Sequence, residues 1–233
     1  EMVDNAARIV DACGLPLIAD ADNGYGGPLN VFRTIRAYEK AGAAAVHIED
    51  QVFPKRCGHL AGKQLISPGD MVAKVKAAVD ARIDPDFVII ARTDAIAVEG
   101  FEAALDRAGR YRAAGADVLF VEAPTSLEQL RAITQSGDAP QLYNMASSGK
   151  TPFLDMRQIE ELGFRIVIYP NWMLLGAIRA AQRVLGHLKE TGSIKDLRES
   201  VVTFQEFFDL LGMQEVKRLE SRYISDDGAR LSY

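Results

Sequence analysis

Only two cysteines, Cys13 and Cys57, occur among 233 residues, too few for a disulfide framework and in keeping with a reducing compartment. Long apolar runs are missing as well. No stretch reaches the roughly 18 residues a membrane helix needs, and residues 1–20 lack the basic start and apolar middle of a secretion signal. Nor is there a block of one charge: 27 basic and 32 acidic residues give a net charge of -5. They are spread without an aromatic-interleaved Lys/Arg stripe, which argues against nucleic acid as a partner. No G-x-x-x-x-G-K-[ST] loop and no G-x-G-x-x-G after a strand is present, so nucleotide binding is not expected. No strand ends in a lysine, which argues against a Schiff-base aldolase. On these grounds the protein is expected to be cytoplasmic.

What is there suits one soluble domain over residues 1–233, since 48% of the chain is hydrophobic and 25% charged. Short apolar runs at 16–20, 45–49, 87–92, 118–122, 141–144 and 165–169 read as buried parallel strands. Between them, 29–41, 68–82, 101–114, 127–135 and 155–162 carry apolar residues at three- and four-residue spacing, the mark of amphipathic helices. Gly42 and Gly115 stand just past two of these helices, and Ser67-Pro68 offers a cap with proline at the first helical position. Such alternation means a parallel sheet, either doubly wound or closed into a (β/α)8 barrel. Residues 1–13 read as a helix interior. Three further helices, 172–190, 194–211 and 213–223, make 172–233 a helical C-terminal part. A barrel needs eight strands, so its first two are expected to lie outside this chain.

Polar residues gather at the strand ends: Asp20 and Asp22, Glu49 and Asp50, Arg92 and Asp94, Glu122, and Asn144. In a barrel that face carries the active site. Strand alternation lets Asp20 and Asp22 point to one side, whereas adjacent Glu49 and Asp50 cannot both do so. Three converging carboxylates suit a hard cation such as Mg²⁺; alternatively these acids cap helices and pair with rim arginines. Arg92 must face a carboxylate, either on a substrate or on Asp94 or Glu122. The longest aperiodic segment, 50–67, is expected to be functional or mobile. It holds Lys55-Arg-Cys-Gly-His59, where neighbouring cations favour a reactive thiol at Cys57; an incidental cysteine on a basic loop is the alternative. Cys13, on the apolar side of a helical run, is expected to be a small buried hydrophobe. The glycines of Asp22-Asn-Gly-Tyr-Gly-Gly27 offer amides that can cradle an anion.

Asp20-Ala-Asp-Asn-Gly-Tyr-Gly26, His47-Ile-Glu-Asp-Gln51, Lys55-Arg-Cys-Gly-His59 and Ala91-Arg-Thr-Asp-Ala95 stand in an order and spacing that resembles the isocitrate lyase and phosphoenolpyruvate mutase superfamily, over nearly the whole chain. Within it the chain looks closest to 2-methylisocitrate lyases and to the oxaloacetate hydrolase and dimethylmalate lyase group. The resemblance implies an α/β, TIM-type (β/α)8 barrel with extra C-terminal helices. Mg²⁺, with Mn²⁺ as a substitute, would be held by Asp20, Asp22 and Glu49. It also implies a gating loop with Cys57 as catalytic acid or base, Arg92 on a substrate carboxylate, and Gly58, His59, Glu122 and Asn144 completing the pocket. The activity implied is carbon-carbon cleavage of a small 2-hydroxy di- or tricarboxylate; the alternative is an oxaloacetate hydrolase, a decarboxylase or a phosphonate mutase or hydrolase. A homotetramer with an exchanged C-terminal helix is the implied assembly. Asn144-Met-Ala-Ser-Ser-Gly149 lacks the acidic residue that methylisocitrate lyases carry there, which keeps smaller substituted malates open.

Overall fold

Buried parallel strands alternate with amphipathic helices in the computed structural model, which describes residues 1–58 and 60–224. The strands are β1 (Ile18–Asp20), β2 (Ala45–Glu49), β3 (Val88–Thr93), β4 (Val118–Val121), β5 (Leu142–Asn144) and β6 (Ile166–Ile168). The first four form one parallel sheet in chain order and the last two a parallel pair. A parallel bridge between Leu119 and Gln141 carries the order across from β4 to β5. This is the strand sequence of a (β/α) barrel, of which the described residues supply six staves.

The helices α1 (Met2–Ala12), α2 (Pro28–Lys40), α3 (Pro68–Ala81), α4 (Phe101–Ala113), α5 (Leu127–Gln135) and α6 (Met156–Glu161) follow the expected positions within a residue or two. Ser67 caps α3 by accepting from the Asp70 amide at 3.1 Å, with Pro68 at the first helical turn as the sequence implies. Their apolar stripes, among them Ile35, Val75, Ala108, Leu130 and Ile159, are fully or almost fully buried. They pack on the outward residues Val46, Ile48, Ile89, Ala91, Leu119, Val121 and Tyr143.

The alternate residues Ala45, Ile90, Val118, Phe120 and Leu142 form a second apolar cluster inside the barrel. This two-residue period decides which polar groups meet. Asp20, His47, Glu49, Arg92, Glu122 and Asn144 share the parity of the inner cluster, whereas Asp50 and Thr93 share the outer one. Cys13 departs from its expected burial. It is the residue after α1, with extended backbone, so it leaves the apolar stripe and is exposed. The expected helix 194–211 is also broken. Lys195–Ser200 is a 3-10 turn, and α8 (Phe204–Leu210) starts afresh at a Thr203/Glu206 capping box.

The chain divides into two compact units, Glu1–Trp172 and Met173–Tyr233. The second is helical, with most of α7 (Trp172–Thr191), α8 and α9 (Met213–Tyr223). No residue of these three helices is buried. Among the described residues no helix is long and apolar enough to cross a membrane.

Candidate active site

Register alone sets Glu49 beside Arg92, because the two are partners across β2 and β3, while Asp20 faces His47 across β1 and β2. The chain leaves β1 through a tight turn. Asp22 takes left-handed backbone (φ 49°), a conformation that aspartate tolerates better than most residues, and its amide donates to Asp20 Oδ1 at 2.8 Å. The Glu49 amide donates to Asp22 O at 2.8 Å, so the turn is pinned to the end of β2. Two amides of the glycine-rich turn that follows are taken up within it. The Gly24 amide donates to Ala21 O at 2.8 Å and the Tyr25 amide to Asn23 Oδ1 at 3.1 Å, so both are used within the turn. Gly24 is required for a different reason: its φ is +80° and a Cβ there would lie 2.4 Å from Val31 Cγ2.

Arg92 is the centre of charge. Its Nε donates to Asp94 Oδ2 at 3.0 Å and its Nη2 to Asp94 Oδ1 at 3.1 Å, a forked pair. Glu122 Oε2 lies 3.4 Å from Nη2, Glu49 Oε2 lies 3.5 Å from Nε, and the guanidinium sits over the Phe120 ring at 4.9 Å. Burial works against this cation, but Glu122, Asp94 and Glu49 outweigh it and hold the pKa above the ordinary arginine value. The internal pairing anticipated for Arg92 is therefore present, on both Asp94 and Glu122. Asn144 Nδ2 donates to Glu122 Oε2 at 3.1 Å, while its Oδ1 is buried without a hydrogen-bond partner.

Glu49 is fully buried, and neither carboxylate oxygen has a hydrogen-bond partner. Burial pushes its pKa up to about 7; Asp94 and Asp20 add to the rise, and Arg92 and Lys55 oppose it. Asp20 lies lower than usual, because His47, the Asp22 amide, Lys55 and Arg92 outweigh its own desolvation. Lys55 Nζ sits 2.8 Å from Asp22 Oδ1 and 3.7 Å from Glu49 Oε2. A buried carboxylate whose two oxygens lack hydrogen-bond partners, beside two further acids, has the hard-oxygen chemistry that a divalent cation takes. Among the described residues no three His, Cys, Asp or Glu side chains close into a direct ligand group.

Asp50 points outward, as alternation demands. It accepts from Thr93 Oγ1 and Tyr111 OH, each at 2.7 Å, from the Asp94 amide at 3.0 Å and from Arg107 Nη1 at 3.2 Å. Arg107 Nη1 also donates to Ile66 O at 3.0 Å, so this buried network ties the far end of the 50–67 segment to the clamp on Arg92.

The 50–67 segment is closed at its base. Ile66 donates to Asp50 O at 2.9 Å, Val52 to Gln64 O at 2.8 Å, and the Gln51 side chain grips both backbone groups of Arg56. Its tip carries exposed Cys57 and buried Gly58. Lys63 Nζ donates to the carbonyls of Gly58 and Leu60. His59, assigned to the site from sequence, lies outside the described residues. In sequence Lys55 is legible only as one of the cations beside Cys57; its partner Asp22 lies on the turn after β1, well removed along the chain.

Gly58 seats directly on the charged centre. A Cβ built there would lie 2.5 Å from Arg92 Nη2 and 2.7 Å from Glu122 Cγ. Gly58→Ala is expected to lift the tip and cut kcat/KM by about 100-fold, the scale of an ångström-sized misplacement, with an unchanged thermal midpoint. Steady-state kinetics beside thermal unfolding checks this; full activity would show that the seat is not used.

Comparison with known proteins places the whole chain in a family. The family model described as phosphoenolpyruvate phosphomutase matches residues 1–189. The 2,3-dimethylmalate lyase of Eubacterium barkeri is 44% identical over 223 residues, covering 96% of this chain and 77% of that protein. The 2-methylisocitrate lyase of Aeropyrum pernix is 49% identical over 207 residues, covering 89% and 67%. A phosphonopyruvate hydrolase solved with oxalate and Mg²⁺ superposes with a TM-score of 0.85 at 30% identity, covering 97% of this chain and 80% of that one. With a family model spanning most of its length and relatives of this identity, the chain belongs to the phosphoenolpyruvate mutase and isocitrate lyase superfamily.

Proposed function

We propose that this chain is a Mg²⁺-dependent carbon-carbon lyase that cleaves a small 2-hydroxy di- or tricarboxylate, of the 2-methylisocitrate or substituted-malate type, into a 2-oxo acid and a second carboxylate. The observation that carries the reading is the seat of Gly58 on Arg92 and Glu122, which brings the Lys55-Arg-Cys-Gly58 stretch onto the strand ends of the barrel. The similarity to two lyases supports it.

Asp20, Asp22 and Glu49 are the residues assigned to the cation. When bound, it would supply Lewis-acid stabilisation of the negative charge that develops on the substrate's oxygen. Arg92 binds a substrate carboxylate with the face of its guanidinium fork not taken by Asp94. Glu122 and Asn144 set the polar wall beside it, and His59 is assigned to the same wall from sequence. The 2-hydroxyl gives its proton to a carboxylate of the site, and its C-O becomes the carbonyl of the 2-oxo acid as the C2-C3 bond breaks. The pair from that bond passes to the carbon next to the departing carboxylate, and the Cys57 thiol delivers a proton to that carbon. The loop base between Asp50 and Ile66 holds the tip over the site and excludes water.

Residues 1–233 act as one catalytic domain with 172–233 as its helical part. Leu174, Leu185, Phe204 and Leu210 of that part are exposed, which supports an oligomer of this chain, a tetramer by the resemblance, in which an exchanged C-terminal helix covers them. The similarity to a phosphonopyruvate hydrolase favours the second reading, hydrolysis or P-C chemistry at the same site.

The protein with Mg²⁺ is incubated with 2-methylisocitrate, isocitrate, 2,3-dimethylmalate, oxaloacetate and phosphonopyruvate, and 2-oxo acids, oxalate and phosphate are measured separately. A 2-oxo acid from one hydroxy acid, lost with EDTA and restored by Mg²⁺, is the expected result. Oxalate or phosphate instead moves the chain to the second reading.

A further inference from the structure

Lys55 is two residues from Cys57, yet its ammonium reaches out of the loop to the carboxylates at the barrel mouth. It lies 2.8 Å from Asp22 Oδ1 and 3.7 Å from Glu49 Oε2. Glu49 has no hydrogen-bond donor on either oxygen, so its charge is balanced by cations alone, Lys55 and Arg92. Arg92 cannot leave, because Asp94 holds it in a fork. Lys55 can, because its ammonium is at the end of a flexible four-carbon stem.

From this geometry we propose that Lys55 is a positioning residue that links the divalent-cation site to the loop. Its ammonium is the counter-ion of Asp22 and Glu49 when the metal is absent, and a bound cation displaces it, releasing the segment that carries Cys57. The inference rests on the assignment of Asp22 and Glu49 to the metal made above. A doubly charged cation on the Asp22 and Glu49 oxygens repels an ammonium held 2.8 Å from Asp22 Oδ1, and the partly buried setting screens that repulsion poorly. The loop keeps its other anchors when Lys55 lets go. Gln51 still holds Arg56 and Lys63 still holds Gly58 and Leu60. What changes is the tether between the Cys57 tip and the β1 and β2 ends, so metal occupancy and thiol position become one equilibrium.

The two consequences are separate measurements, neither of which requires turnover. Removing the ammonium removes the competitor, so Lys55→Met and Lys55→Gln bind divalent cation at least about tenfold more tightly, while Lys55→Arg stays near the parent. Removing the tether makes the thiol as accessible without metal as with it.

The test uses Mn²⁺ binding followed by EPR, and Cys57 labelling by a chromogenic disulfide reagent with and without Mg²⁺. All proteins carry Cys13→Ser, because Cys13 is also exposed. Tighter Mn²⁺ binding in Lys55→Met and Lys55→Gln, with Mg²⁺ accelerating labelling only where residue 55 is Lys or Arg, is the expected result. Equal Mn²⁺ affinity in parent and Lys55→Met overturns the proposal, and if Asp22→Asn still weakens binding the metal assignment survives that failure. Mn²⁺ binding unaffected by Asp22→Asn and Glu49→Gln alike removes the metal assignment, and the link falls with it.

Discussion

Cys57→Ser is expected to lower kcat by about 10³-fold while substrate affinity stays within about threefold, the signature of a lost proton donor rather than a lost contact. The hydroxyl occupies nearly the same space but is a far weaker acid, and the carbanion formed on cleavage then waits for a proton. The thiol stands on a loop whose base is closed by Asp50, Gln51 and Val52 pairing toward Leu65, Gln64 and Ile66, so the exchange leaves the loop's own frame intact. Single-turnover kinetics with the substrate identified by the panel, beside calorimetric binding, separates the two quantities. Cys13→Ser, at the exposed end of α1, serves as the control with unchanged turnover. Undiminished turnover in Cys57→Ser takes the thiol out of the mechanism.

Glu49→Gln is expected to have opposite effects on activity and on stability. It removes the buried carboxylate assigned to the cation, so turnover is lost and divalent affinity falls. The metal-free protein, however, gains stability at alkaline pH. Burial holds the folded-state pKa of Glu49 up at about 7, against about 4.3 in an unfolded chain. Between those values the folded protein keeps a proton that the unfolded chain has shed. Its contribution is therefore fully present below about pH 4.3 and is lost as pH rises through about 7. The ionised acid then costs on the order of 3 kcal/mol, which the neutral amide avoids. Urea unfolding in EDTA at pH 5 and pH 8 should show the variant near the parent at pH 5 and more stable at pH 8. A variant less stable at pH 8 would mean that Arg92 and Lys55 more than offset the desolvation of the charge.

Much of this protein is readable from its residues in order, because parallel strands buried on both faces are short continuous apolar runs and the helices between them repeat every three or four positions. The six strands and the barrel helices fall within a residue or two of their expected places. The polar residues that close each strand could be picked out for the same reason, since an acid or arginine at the end of an apolar run has little reason to be there except at the mouth of a barrel. Cys57, between Lys55, Arg56 and His59, was visible as local charge.

Distances across the sheet were not written in any local pattern. Whether Glu49 or Asp50 faces inward depends on parity against strands forty or more residues away, and the structure sends Asp50 out to Tyr111 and Arg107 and leaves Glu49 bare inside. The glycine-rich turn offers amides in sequence, but the fold spends Gly24 and Tyr25 on the turn itself. Lys55 is one basic loop residue among several until the loop is folded back and its ammonium meets Asp22 and Glu49. Local periodicity thus determined the elements and the residue types at their ends, because those depend on neighbours along the chain. Only tertiary structure decided which charges meet, because that depends on register, strand parity and the return path of one loop.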